Sequence, residues 1–259
     1  MMKVVFLIAG KGRRLGALTE NNHKSLITLN NKSLLSHLIE NFVYAGLTDF
    51  VPIVGHCHDM VLSCFDNTSS EKTCVTPIYN PRYEETNNLY SLYCAKNVLA
   101  GEEFILCNGD LILDRAIVEG ISRKTGLSAI GIDDSYRTSP IDSPGTVIDD
   151  NRIYDLGRHI PFEKSGGYAI GLYKFNAELS SAFFDEAENM LNENINAGFH
   201  DPLPLLASRY HIHKHSTEER LWTDIDTEDD IPRARELLNK ILEENNNYED
   251  ARKEVCYIS

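Results

Sequence analysis

The chain has 259 residues, 42% of them hydrophobic and 25% charged. These proportions belong to a globular protein of one large domain or two small ones, with enough chain to bury a sizeable core. Its 25 Lys and Arg against 39 Asp and Glu leave a net charge of −14, which argues against a nucleic-acid or anionic-membrane surface, since either needs a basic face. No stretch is long enough to span a bilayer, and the apolar run near the start is too short for a signal peptide; Cys57, Cys64, Cys74, Cys94, Cys107 and Cys256 form no CxxC pair, so reduced thiols and a cytoplasmic location are expected.

Val4-Val5-Phe6-Leu7-Ile8 reads as a buried strand of a parallel sheet. Gly10-Lys11-Gly12-Arg13-Arg14-Leu15-Gly16 follows it directly. Glycines there allow a close-approaching backbone whose N–H groups face an anion, and Lys11, Arg13, Arg14 and the nearby Lys24 add positive charge. The loop is neither the dinucleotide fingerprint, whose third glycine falls one place earlier, nor the P-loop, which closes on GK[ST]. An ordinary strand-to-helix turn is the bland alternative; the clustered cations in an acidic chain favour polyphosphate binding.

Residues 33–46 carry apolar side chains at helical spacing and end on Gly46; Phe50–Gly55 is a second strand, Met60–Phe65 a short helix and Val75–Asn80 a third extended segment. Asn88–Leu99 is expected to be one helix and Glu103–Cys107 a fourth strand ending in Asn108-Gly109-Asp110. This βαβα order predicts a mostly parallel, three-layer α/β/α sandwich. Further on, Ser128–Ile132 is a strand, Asp133–Gly145 a long polar connection expected to be mobile, Val147–Leu156 a hairpin around Asp149-Asp150-Asn151, and Gly166–Tyr173 another strand. Asn176–Asn194 is an amphipathic helix, Tyr210–His215 alternates as an edge strand would, and Ile231–Glu244 is a final helix. With no linker visible, one domain over residues 1–244 is expected, a nucleotide-binding half (1–127) and an acceptor-binding half (128–244), followed by a polar tail (245–259) that is a candidate for disorder.

Two acidic motifs stand out. Asn108-Gly109-Asp110 sits at the carboxyl end of a predicted strand, where open α/β sheets bind ligands. Trp222-Thr223-Asp224-Ile225-Asp226-Thr227 places Asp224 and Asp226 on one side if extended. One Asp from each motif could clamp Mg²⁺, an ion that takes few carboxylates and fills its other positions with water and substrate phosphates. Taken singly, Gly109-Asp110 is a turn and Asp226-Thr227 a helix cap. Together with the basic glycine loop, they favour metal–nucleotide chemistry.

AGKGRRL, Lys24, Gly109-Asp110 and WTDIDT resemble the sugar-phosphate nucleotidyltransferase superfamily, and TNNLYSL over residues 86–92 is similar to its phosphocholine cytidylyltransferase branch, which also includes enzymes of small phosphonates. The resemblance covers roughly residues 3 to 238. It implies a Rossmann-like, GT-A-like fold and in-line attack of an acceptor phosphate or phosphonate oxygen on the α-phosphorus of CTP or another nucleoside triphosphate, with pyrophosphate leaving. It assigns catalytic roles to Lys24 and Arg14, and nucleotide contacts to Ala9, Gly10, Lys11, Gly12, Arg13, Arg14, Lys24, Asn87, Asn88, Ser91 and Gly109. It assigns Mg²⁺ to Asp110 and Asp226, with Asp224 an adjacent candidate. The chain departs from the family at Arg13, where Ser or Thr is usual, at His23, which replaces Pro, and at Phe199-His200-Asp201, where the phosphocholine enzymes carry an aromatic-aromatic-acid run.

The acceptor is expected between Tyr168 and Phe199-His200-Asp201, with the rings facing an ammonium and Asp201 supplying charge. The plain alternative is that Phe199 is core and Asp201-Pro202 begins a helix. His200 suits a small zwitterionic phosphate or phosphonate such as 2-aminoethylphosphonate better than phosphocholine. His56-Cys57-His58 and His211, His213 and His215 read as structural or solvated residues rather than metal ligands, and Cys107 as core. A sugar-1-phosphate nucleotidyltransferase and a nucleotide-binding module without catalysis are the competing functions; a homodimer and a monomer are both open.

Overall fold

The computed structural model describes residues 2–66, 73–135 and 143–256, with side chains described as far as Asn245. The N-terminal half runs β1 (Lys3–Ile8), two 3₁₀ turns (Arg13–Thr19, Lys24–Leu26), β2 (Thr28–Leu29), β3 (Lys32–Ser33), α1 (Leu34–Tyr44), β4 (Asp49–Val54), α2 (His58–Asp66), β5 (Cys74–Val75), β6 (Ile78–Tyr79), α3 (Asn88–Tyr93), α4 (Lys96–Leu99), β7 (Phe104–Asn108), β8 (Leu111–Leu113) and α5 (Arg115–Ser122). The second half adds β9 (Ser128–Asp133), β10 (Gly145–Asp149), β11 (Arg152–Gly157), β12 (Tyr168–Phe175), α6 (Ala177–Glu193), α7 (Leu203–Arg209), β13 (Ile212–Ser216), β14 (Trp222–Asp224) and α8 (Asp230–Cys256).

The main sheet has the order β10-β11-β13-β9-β12-β7-β1-β4-β5. β7, β1 and β4 are parallel, as the βαβα pattern requires. β12 then joins antiparallel to β7, placing Leu172 opposite Cys107, so the second half extends the same sheet with mixed strand directions. Side chains alternate along β1 as a strand dictates. Val4, Phe6 and Ile8 enter a core with α1, α2 and α5, while Val5 enters the core on the other face with α3 and α6. The result is a Rossmann-like three-layer α/β/α sandwich.

Local chemistry sets the element ends. Ser33 Oγ accepts from Ser36 N–H at 3.1 Å and starts α1, and Asn176 Oδ1 accepts from Leu179 N–H at 2.8 Å and starts α6, both side-chain caps of otherwise unpaired helix donors. Three expectations need correction. The helix drawn over 88–99 is two pieces, α3 and α4, because the chain leaves helical geometry at Ala95 (φ −90°, ψ 6°). β13 is not an edge: it pairs with β9 along its length and with β11 at His213 and Ile212. α8 continues to Cys256, past the expected start of the tail. Part of the connection expected to be mobile, residues 136–142, lies outside the described residues.

A small separate ladder positions the chemistry. β8 and β14 pair antiparallel, with Asp224 opposite Leu111, and Ile225 N–H donates to the Asp110 carbonyl at 3.1 Å. α8 packs behind this ladder through Ala234, Leu238 and Ile241 against Ile112 and Ile225. Two motifs more than a hundred residues apart in sequence are thereby held side by side.

Phe6 is fully buried, with ring centroids of Phe42, Phe50 and Phe65 at 5.5, 5.8 and 5.8 Å. Phe6→Ala should destabilise the protein by about 3–5 kcal/mol, the usual transfer and cavity cost, read from urea unfolding. A loss well under 1 kcal/mol would contradict this packing.

Candidate active site

The glycine loop leaves β1 at its carboxyl end. Gly12 has φ 62°, and a Cβ there would meet Lys24 Cβ at 3.1 Å, so loop and lysine lie against each other only because glycine is present. Gly109 is tighter still, since a Cβ would collide with Ile8. These close approaches open a cavity of about 270 Å³ lined by Ala9, Gly10, Gly12, Lys24, Asn87, Asn88, Ser91, Gly109 and Asp110, with Tyr83, Thr86 and Asn108. Eight of the eleven residues assigned to the nucleotide therefore converge here. Lys11 and Arg13 border an adjoining rim with Tyr83 and Glu84, where Lys11 Nζ pairs with Glu84 Oε1 at 2.7 Å. Arg14 faces a second cavity. The Ser91 hydroxyl accepts from Asn80 Nδ2 at 2.9 Å and so also braces the loop behind the cleft.

At the mouth stands a charge cluster. Lys24 Nζ donates to Asp110 Oδ2 and Asp226 Oδ1, both at 2.7 Å, and Arg14 Nη2 donates to the same Asp226 oxygen at 2.8 Å. Burial works to lower the Lys24 ammonium, but the two carboxylates outweigh it and hold the group above the usual lysine value. Burial, reinforced by Asp110 and Asp226, pushes the Asp224 carboxyl up to about 6. Asp110 Oδ1 is buried without a hydrogen-bond partner. Among the described residues no three His, Cys, Asp or Glu form a ready metal cage. Mg²⁺ does not need one, and two carboxylates converging on one cation-sized point, with a spare buried oxygen, suit it.

His23, in place of the family's proline, accepts from Ser25 N–H at Nδ1 (3.1 Å). Burial, the neighbouring His56 and Lys24 lower it to about 4, against a Gly10 backbone contact that raises it.

The second cavity, about 230 Å³, is lined by Arg14, Asn88, Asn108, Asp110, Asp224, Asp226, Arg158, Tyr173, Phe199, His200 and Trp222, among others. It shares Asn88, Asn108 and Asp110 with the first. Here the expected acceptor set is revised. Phe199 and His200 line it, but Tyr168 does not: Tyr168 stacks on Phe162 with centroids 6.3 Å apart. Tyr173 takes that place, its Oη 2.6 Å from His200 Nε2 and its ring 4.9 Å, edge-on, from Phe199. Asp201 is exposed and accepts from Gly198 N–H at 2.7 Å, bracing its own loop. Tyr173 and Arg158 line this cavity without a sequence signal of their own, because Tyr173 reads as strand core and Arg158 follows a hairpin with no motif; Trp222 and Asn108 stand in the two acidic motifs but were not assigned to it. A further cavity, about 340 Å³, lies between α5 and β13 and shares no residue with these two; its Arg220–Asp114 and Arg123–Glu119 pairs neutralise one another.

Burial, with the nearby Arg158 charge second, lowers His200 to about 3. The unfolded chain takes up a proton as pH falls through 6.5, and the folded one does not until far lower. The stability this difference represents is therefore present above 6.5 and is lost as pH falls toward 3, by at most about 1.4 kcal/mol per pH unit. His23 adds a second such group. Urea unfolding at pH 7.5 and 5 should show a smaller acid loss in His200→Gln, which cannot titrate, than in the wild type. Equal losses would mean that His200 is not held neutral.

Residues 4–131 match the family model of the MobA-like NTP transferase domain. The chain is 29% identical over 209 residues to the choline-phosphate cytidylyltransferase of Streptococcus pneumoniae, covering 75% of this chain and 85% of that protein. It is 27% identical over 236 residues to the bifunctional IPC transferase and DIPP synthase of Aquifex aeolicus, covering 91% of this chain and 51% of that protein, so it spans about half of that relative. The structure of the inositol-1-phosphate CTP transferase from T. maritima shares the fold, with TM-score 0.78 over 93% of this chain and 96% of that one at 19% identity. Among the described residues no helix is long and apolar enough to cross a membrane. The chain is a nucleotidyltransferase, with a MobA-like NTP transferase domain over residues 4–131.

Proposed function

We propose that the protein is a CTP-dependent cytidylyltransferase that joins CMP to a small phosphate or phosphonate acceptor and releases pyrophosphate. The observation that carries this reading is the meeting of two cavities at Asn88, Asn108 and Asp110, with Lys24 at the junction. The nucleotide occupies the cavity under the glycine loop, where backbone N–H groups and Lys24 face its phosphates. The acceptor lies against Tyr173, Phe199 and His200, with Arg158 meeting its phosphate charge. An acceptor oxygen attacks the α-phosphorus, a new P–O bond forms, and the bond to the bridging oxygen breaks as pyrophosphate departs. The chain's part is positioning and charge stabilisation, which dominate phosphoryl-type transfer. Mg²⁺, which Asp110 and Asp226 would hold with Asp224 beside them, supplies neutralisation of phosphate charge when bound.

Choice of CTP rests on the cytidylyltransferases among the relatives. With Asp201 outside the cavity, the carboxylate once expected to face an ammonium is absent from that position, and the acceptor is defined by its phosphate and small size. The competing sugar-1-phosphate reading draws on relatives such as the UTP–glucose-1-phosphate uridylyltransferase AglF of Haloferax volcanii, 28% identical over 123 residues.

Pyrophosphate release with CTP should be measured against phosphocholine, phosphoethanolamine, 2-aminoethylphosphonate, inositol-1-phosphate and glucose-1-phosphate. Preference for glucose-1-phosphate would favour the competing reading, and no turnover with any acceptor would remove the enzyme assignment. With the best acceptor, Lys24→Ala should lower kcat/KM on the order of 10²- to 10³-fold, as for loss of one transition-state contact; near-normal turnover would remove Lys24 from the mechanism. Arg158→Ala should raise the acceptor KM on the order of tenfold, the loss of one charge-assisted hydrogen bond. Asp201→Asn should leave that KM unchanged; a rise there instead of in Arg158→Ala would return the acceptor to the loop of Asp201.

A further inference from the structure

Lys24 bridges the two carboxylates that the reading above would give to a metal ion. Its ammonium lies 2.7 Å from Asp110 Oδ2 and 2.7 Å from Asp226 Oδ1, the two oxygens that the reading above would give to a divalent cation. The Lys24 side chain is only 13% exposed, so it is held there rather than passing through. Mg²⁺ sits about 2.0–2.1 Å from its oxygens, so an ion between these carboxylates would take the ground that Nζ occupies. Two positive charges cannot share it. Asp110 Oδ1, buried with no partner, is an acceptor that the ammonium leaves unused.

The same ammonium lies along the wall of the nucleotide cavity beside Gly10 and Gly12. It therefore has two anionic destinations, the carboxylates and an incoming triphosphate. Exchanging one for the other requires only rotation about the bonds of the flexible lysine stem, which Gly12, lacking a Cβ, does not crowd.

We propose that Lys24 is the resident counter-ion of the divalent-cation site, and that it couples metal binding to nucleotide binding. This inference rests on the metal–nucleotide reading of the site. With no nucleotide, Lys24 neutralises Asp110 and Asp226 and keeps free divalent cations out. A triphosphate draws the ammonium onto its own oxygens, the carboxylates lose their counter-ion, and a divalent cation becomes the favoured replacement. By linkage the effect is reciprocal: whatever factor the nucleotide adds to metal affinity, the metal adds to nucleotide affinity. Arg14, which shares Asp226 Oδ1 at 2.8 Å, is more exposed and keeps one carboxylate partly compensated throughout the exchange.

The test is direct metal binding, independent of turnover. Mn²⁺ replaces Mg²⁺ as a probe with an electron paramagnetic resonance signal, and its affinity is measured for the wild type and for Lys24→Met and Lys24→Gln, each with and without a non-hydrolysable α,β-methylene CTP, after subtracting metal held by free nucleotide. Both variants should bind Mn²⁺ alone at least about tenfold more tightly than the wild type, a difference of about 1.4 kcal/mol, and should show little further gain on adding nucleotide. The wild type should bind Mn²⁺ weakly alone and much more tightly with the analogue. If the wild type takes up Mn²⁺ with nucleotide but the variants bind it alone no better than the wild type, the coupling role of Lys24 is wrong while the metal–nucleotide reading stands. If no protein binds Mn²⁺ under any condition, or if an Asp110→Asn/Asp226→Asn double variant binds it as well as the wild type, the metal site itself is wrong and the proposal goes with it. Thermal melting of each variant separates these outcomes from a failure to fold.

Discussion

Three carboxylates from two distant parts of the chain meet at the end of one sheet, and the site depends on the cations that make this tolerable. Asp110 follows β7, Asp224 ends β14 and Asp226 follows it, and all three border one cavity. Two unit charges about 4 Å apart repel by about 4 kcal/mol at the dielectric of a protein surface, so such a group cannot be left uncompensated. Lys24 and Arg14, both from the segment after β1, supply the compensation. Asp224, raised first by burial and then by its two carboxylate neighbours, has no such cation bonded to it among the described ion pairs.

That arrangement explains details of the fold that are otherwise arbitrary. The ladder of β8 and β14 is only three residues long, too short to matter for stability by itself, yet it fixes the separation between Asp110 and the later acidic motif. α8 clamps it through an apolar cluster that also includes Leu15, Leu29 and Leu34 from the segment around Lys24. One small core therefore ties down the lysine's neighbourhood and the aspartates' backbone together. Gly12 and Gly109 belong to the same design, since a Cβ at Gly12 would crowd Lys24 and one at Gly109 would collide with the Ile8 side chain.

The cavity under the glycine loop was legible in the sequence because the residues that line it are marked locally. Gly10 to Arg14, Lys24 and Asn108 to Asp110 sit at strand ends, and strand ends are where short apolar runs and glycines mark position most clearly. The second cavity was less legible because its wall is assembled from strand β12, the turn after β11, the loop before α7 and β14. No single segment carries the pattern. Tyr168 was expected at the acceptor and Tyr173 was read only as part of the strand; in a run as apolar as Tyr168–Phe175, whose register shifts between Ala169 and Tyr173, composition does not tell which tyrosine reaches the cavity. Asp201 was read as a ligand because acids near aromatics suggest a cationic guest, but an exposed acid three residues after a loop glycine is equally suited to receive that glycine's N–H, as it does. β13 was read as an edge from its polar alternation; only two of its residues pair with β11, so much of one side stays unpaired and tolerates the histidines and lysine that suggested an edge.

The two halves of the site are also joined by a bond that neither motif foretold. Asn88 borders both cavities, and its Oδ1 accepts from the backbone N–H of Phe199 at 2.8 Å. Asn87, one residue earlier, caps α3 and donates to the Asn196 carbonyl at 3.2 Å. The start of α3 is thus bonded twice to the loop that carries the acceptor wall, across more than a hundred residues of sequence. Asn87 and Asn88 are thereby tied to the same segment that positions Phe199 and, through it, His200 and Tyr173. Paired asparagines suit this place for a physical reason. Each amide has both an acceptor and donors, so one group can hold the helix start and the opposing loop while a neighbouring one still presents polar atoms to a ligand. A hydrophobic residue at either position would leave backbone N–H or C=O groups of the loop unpaired, and a charged one would bring a further unit charge to a junction already crowded with them.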